Sequence, residues 1–357
     1  RITMAQFITF QPSDFFNTVL YTGNQPSSNA ITGVGFQPNF VWVKNRDASL
    51  NHTLFNTSQG LGQSLYANLV NSAVTDANGI TAFGADGFTV ADWSIPNTNG
   101  DDYISWNWKA GTSSGIATNG STTITPSDYS FNQTSGFSVL KYTGTGSAAK
   151  MAHGLGATPT MFFLKNLGTS NDWVTYNKYV KATDPEDWVM RTNNTSAAVD
   201  DVAMWNDTQP DDVNITLGNS GNTNGSTNNY IAYCFAPIKG HSIFGRYMGN
   251  ATTNGPFIPT NFRPKFIVIK RLDGTTGWVM MSNPPNSENL NADNPMLFLN
   301  STAIQSTVTY AKVDFLSNGF KLRDSAATIN TNGGHFVYWA FAEFPFVSSN
   351  SIPGDAR

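Results

Sequence analysis

PNFVWVK at 38–44, PTMFFLK at 159–165 and PKFIVIK at 264–270 are three renderings of one pattern: a proline, a run of apolar residues, and a closing lysine. Each proline stands 17 residues beyond the tyrosine of a short triplet, Tyr21-Thr22-Gly23, Tyr142-Thr143-Gly144 or Tyr247-Met248-Gly249. Eight residues beyond the lysines Lys44, Lys165 and Lys270 come His52, Trp173 and Trp278. Spacing held without a gap in three places marks an internal repeat, which has to be recognised before any other reading of a chain. A β-branched and aromatic run this short, bounded by turn residues and apolar at successive positions, predicts a strand covered on both faces and central in its sheet.

The far ends of the repeat agree. Asn-Thr-Asn-Gly occurs at 97–100, 222–225 and 330–333, ahead of DYISWNWKA, NYIAYCFAP and HFVYWAFAE. In these closing segments Ile104, Trp106 and Trp108 alternate with Ser105 and Asn107, Ile231, Tyr233 and Phe235 with Ala232 and Cys234, and Val337, Trp339 and Phe341 with Tyr338 and Ala340. Period-2 alternation lays one face of a strand on an interior, so the aromatic face is expected to line the core of its own unit. Asp86-Gly87 and Asn318-Gly319 are hairpin signals. Turn residues recur between short strands throughout. The expected fold is all-β: three homologous antiparallel β-sandwich units of jelly-roll or lectin-like type in tandem, with a closed barrel as the alternative.

The expected divisions are repeat one at 5–110, a Gly/Ser/Thr-rich linker at 111–135, repeat two at 136–240, repeat three at 241–346 and a polar tail at 347–357. The linker composition suits a flexible joint, although Thr122 to Thr125 has the alternation of an added edge strand. Repeats two and three have almost no spacer and are expected to form one rigid body.

Chemistry is hard to find in this sequence. A net charge of −4 without a basic run argues against nucleic acid, and no apolar stretch is long enough for a membrane helix. His52, His153, His241 and His335 fall in no metal-binding frame. Ser147 to Lys150 matches Ser-x-x-Lys but lacks its companion motifs, and Cys234 reads as a small buried residue. The acidic clusters Asp101-Asp102, Asp184 to Asp187, Asp200-Asp201 and Asp211-Asp212 read as solvated turns rather than a calcium site. No catalytic, cofactor or metal residue is expected, and so no enzyme. Of the nine tryptophans, six lie on the repeated framework. Trp93, Trp188 and Trp205 lie outside it, in polar variable stretches, and are the candidates for contact with a ligand such as a host-surface glycan.

The stretches TGVGFQPNFVWVKNR, HGLGATPTMFFLKN, YIAYCFAPIKGHSIFGRYMGN, DFLSNGFKLR and YWAFAEFPF, in that order and spanning nearly the whole chain, resemble tandem-repeat virion proteins of tailed bacteriophages, abundant in marine phages. Met4-Ala5 followed by FQPSDFFNT is similar to how such proteins begin, so Arg1 to Thr3 read as an upstream extension. Pro237-Ile238-Lys239 departs from a more acidic pattern. The resemblance implies a tail-fibre, appendage or capsid-decorating protein on the extracellular particle. Its implied partners are other virion proteins and the host surface, as a homo-oligomer (trimer) or a pseudo-trimeric monomer. It implies no catalytic residues.

Overall fold

The apolar run before each lysine does form a strand buried on both faces. Phe40–Asn45 and Met161–Asn166 are buried at every position, and Phe262–Arg271 is buried from Phe266 to Lys270. The computed structural model describes residues 10–283, 295–306 and 311–345. These three "lysine strands" occupy the same place in three sheets. In each, an opening strand (Phe16–Thr22, Phe137–Thr143 or Ser242–Met248) pairs with a closing strand (Asp102–Trp108, Asn229–Phe235 or His335–Pro345), and the closing strand pairs with the lysine strand. A fourth strand follows (Thr53–Asn56, Val174–Asn177 or Val279–Ser282), then a fifth (Gln63–Tyr66, Trp188–Arg191 or Met296–Phe298), all antiparallel.

A smaller sheet packs on each large one. It is made of Asn29–Ile31, Gly87–Val90 and Ile80–Gly84 in unit one, and of Ala149–Ala152 with Asn214–Leu217 in unit two. In unit three it is made of Phe257–Pro259, Gly319–Leu322 and Val313–Leu316. The two predicted hairpins lie in these sheets, with Gly84 opposite Gly87 and Leu316 opposite Gly319. The architecture is therefore an all-β assembly of antiparallel sandwiches.

The aromatic face of the closing strands does not line each sandwich separately. Trp106 and Trp108, Tyr233 and Phe235, and Trp339 and Phe341 belong to one hydrophobic cluster drawn from all three units. Rings meet across the boundaries: Phe40 with Tyr233 at 4.3 Å, Trp106 with Phe266 at 5.2 Å and Phe163 with Trp339 at 6.1 Å between centroids. The sandwich interiors are built from the opposite face, with Tyr103 in unit one, Ala232 and Cys234 in unit two, and Tyr338 and Ala340 in unit three. Alternation along a strand identifies a buried face but not what buries it, which is why the expectation of a separate aromatic core per unit is corrected here. Unit one is as much a part of this shared centre as units two and three.

The stretch 111–135 is also more than a flexible joint. Within it Asp128–Asn132 forms a strand paired with the opening strand of unit two, and Ile124 makes a parallel bridge to Met151. The linker sequence thus extends the sheet of unit two beyond what the described residues of its sister sheets contain. The tail 347–357 lies outside the described residues.

Candidate functional site

The repeated lysines lead to the boundaries between units. All three side chains are fully buried, and each ammonium donates to a backbone carbonyl of another unit. Lys44 Nζ reaches Thr302 O at 3.2 Å, Lys165 Nζ reaches Val70 O at 2.8 Å and Lys270 Nζ reaches Thr195 O at 3.0 Å. Each also donates at 2.7 Å to a carbonyl of its own unit, Asn45 O, Asn171 O or Thr276 O. Burial pulls each amine from the ordinary lysine value down to about 8. A buried charge needs such partners because desolvating it is costly.

The residues eight positions on complete the joints. Trp173 Nε1 donates to Tyr66 O at 2.9 Å and Trp278 Nε1 to Arg191 O at 3.0 Å. His52 takes the third place. Its Nδ1 accepts from Trp42 Nε1, which leaves the ring proton on Nε2 to donate to Phe298 O at 3.1 Å. Tyr66, Arg191 and Phe298 each end the fifth strand of their sheet. Backbone bonds follow the same rule: Ala73 N to Leu167 O, Ala198 N to Leu272 O and Gln305 N to Arg46 O. Unit three therefore closes on unit one through the contacts that join one to two and two to three, and the units form a closed ring.

A second repeated device holds the start of each closing strand. Asn97, Asn224 and Asn330 are fully buried. Asn97 Nδ2 donates to Ala91 O and Ser27 O, Asn224 Nδ2 to Gly218 O and Ser147 O, and Asn330 Nδ2 to Asp324 O and Thr252 O. Their Oδ1 atoms accept from the N–H of Asn24, Thr145 and Asn250. The tyrosines of the opening triplets bond the carbonyl just before each asparagine, at Pro96, Thr223 and Ile329. A Cβ on Gly23, Gly144 or Gly249 would collide with the backbone of this turn, which explains the glycine ending each triplet. The Asn-Thr-Asn-Gly match is thereby corrected in unit two: its second asparagine, Asn224, fills the place that the first fills at Asn97 and Asn330.

Other ionisable groups among the described residues are buried or held in structural contacts. Burial lowers His52 and His241 to about 3 and pushes the Cys234 thiol well up. Lys150 of the Ser-x-x-Lys match lies 3.4 Å from the Asp211 carboxylate. Asp211 accepts from the N–H groups of Val213 and Asn214, and Asp201 caps Ala203 N, as turn carboxylates do. Among the described residues, no group of three or more His, Cys, Asp or Glu is placed to hold a metal ion.

The three candidate tryptophans do not converge on one surface. Trp205 is fully buried in the interior of unit two, its Nε1 donating to Trp188 O, so its ring is closed to a ligand. Trp188 is half-buried, with Lys181 Nζ 3.7 Å from its ring centroid. Trp93 is half-buried against Phe55 and Tyr66 in unit one. Between units one and three lies a cleft of about 30 Å3 lined by Leu20, Ile104, Met280 and Leu297, with Arg46 and Gln305 at its side. That volume suits a water or a methyl group and not a sugar ring.

The ring of joints is what reading the sequence by units missed. Its signal was visible in the repeated lysine and the His/Trp/Trp position, but nothing local identifies a partner carbonyl far along the chain. The chain belongs to the family described as "Domain of unknown function (DUF7483)", whose profile matches residues 11–345. No curated protein matches it, and no solved structure does.

Proposed function

We propose that this member of the family is a non-enzymatic structural protein of a bacteriophage virion, a tail fibre, appendage or capsid-decorating protein, in contact with other virion proteins and with the host surface. The observation that carries the reading is the use made of the repeated polar groups. Three lysines, three asparagines and the His52/Trp173/Trp278 set hold strands and units together. What the three units have in common is thus a scaffold, and this is the property a particle component needs. The low charge of the chain, 12%, suits a surface whose solubility and contacts do not depend on salt.

The test is direct. Purified particles of a phage encoding this chain should contain it in stoichiometric amount by mass spectrometry, and a labelled antibody should decorate intact particles at a defined position. Its absence from purified particles, with abundant chain in the lysate, overturns the proposal. A glycan-binding role would rest on Trp93. A glycan-array signal lost in a folded Trp93→Ala variant would favour it.

A further inference from the structure

We infer that the opening strand of unit one, Phe16–Thr22, is an association edge that pairs antiparallel with the same strand of a second copy of this chain. The inference does not depend on the virion reading. In unit two the corresponding strand, Phe137–Thr143, is covered by Asp128–Asn132, with Asp128 opposite Lys141 and Ser127 N bonded to Lys141 O. The sheet position is thus built to accept an antiparallel strand. Among the described residues of unit one, the strand is the outermost of its sheet. At the place of Lys141 it carries Leu20, which is 44% exposed.

Edge strands are ordinarily protected by charge, proline or a bulge. Phe16–Thr22 has no charged residue and no proline, and pairs with its neighbour without a register shift. The edge strand of unit three carries Arg246 at the same place, and self-pairing there sets Arg against Arg, which is unfavourable.

Backbone parity fits a twofold pairing. Lys109 N bonds Phe15 O and Gly23 N bonds Asp101 O, so odd-numbered residues direct their backbone groups to the closing strand and even-numbered ones direct theirs outward. Centring the twofold at Leu20 places Leu20 opposite its own copy and Thr18 opposite Thr22. Two outward groups, Thr18 N–H and Thr22 C=O, are already satisfied by Asn17 Oδ1 at 3.0 Å and Asn29 Nδ2 at 2.9 Å. These are the two groups that would otherwise bond each other across the dimer. Those of Leu20, with Thr18 C=O and Thr22 N–H, pair reciprocally, so no orphan is left between Thr18 and Thr22. Two Leu20 side chains then meet beside the cleft at Ile104 and Met280.

Light scattering after size exclusion should give twice the 38.7 kDa monomer mass at micromolar concentration. Leu20→Lys, which copies unit two, should give the monomer with an unchanged melting curve. Leu20→Cys should form an intermolecular disulfide on mild oxidation, because directly opposed antiparallel residues lie within disulfide reach and the lone native thiol, Cys234, is buried. Met248→Cys, on the edge of unit three, should not. A monomeric wild type, or a dimer that survives Leu20→Lys and leaves Leu20→Cys uncrosslinked, overturns the inference.

Discussion

The shared centre and the three sandwich interiors are both made of buried apolar side chains, but they are built differently. The centre takes its tryptophans and phenylalanines from all three units, whereas each interior is a smaller set from a single unit. Ser105, Asn107 and Ser138, all fully buried, lie on the faces turned away from the centre. The difference teaches that six of the nine tryptophans are committed to the centre shared between units, so a unit by itself would expose a large aromatic face. Lobes that look like beads along the sequence are interdependent in space.

The sharpest way to break this comparison is to remove two units. Residues 111–240 expressed alone should not give a cooperative thermal transition, because Phe163, Tyr233 and Phe235 would face water. A sigmoidal melt with dispersed amide resonances would refute interdependence. Next in size, Trp173→Ala removes a buried ring and a bond across a boundary and should cost about 3–5 kcal/mol by urea denaturation. Asn224→Ala strands several buried backbone groups within one unit and should cost about 1–3 kcal/mol, with Asn97→Ala and Asn330→Ala alike.

A finer contrast lies inside the centre. Trp106 Nε1 donates to Ser282 Oγ at 2.8 Å, and Tyr233 OH accepts from Asn56 Nδ2 at 2.9 Å. At the third equivalent place neither Trp339 Nε1 nor Asn177 Nδ2 has a hydrogen-bond partner among the described residues. Trp106→Phe should therefore destabilise by about 1 kcal/mol more than Trp339→Phe. The joints should also respond to pH through the three lysines. Their folded-state values near 8 lie below the ordinary lysine value, so above pH 8 the unfolded chain holds more protons than the folded one. Stability should then rise with pH. The urea midpoint should be higher at pH 9.5 than at pH 7.5, and this gain should shrink in Lys165→Met.

The repeat, the strands and their buried faces were legible because they are encoded locally. The proline opening and lysine ending each central strand, the alternation of Trp106 and Trp108 with small residues, and the Gly at each hairpin are readable over a few positions. The candidate ligand residues were less legible. Trp93, Trp188 and Trp205 were selected for standing outside the repeat, but exposure depends on what packs over a ring, and Trp205 turned out to be an interior residue of unit two.

By itself the sequence determined that the chain would form β-strands of one kind three times over, since backbone preference and side-chain alternation act between near neighbours. The tertiary structure alone decided that aromatic faces meet one another, that His52 stands in for a tryptophan at one joint, and that Asn224 rather than Asn222 anchors its turn. Those outcomes depend on which carbonyls and rings are brought within reach by segments from 77 to 246 residues apart, and no short window of sequence contains both partners.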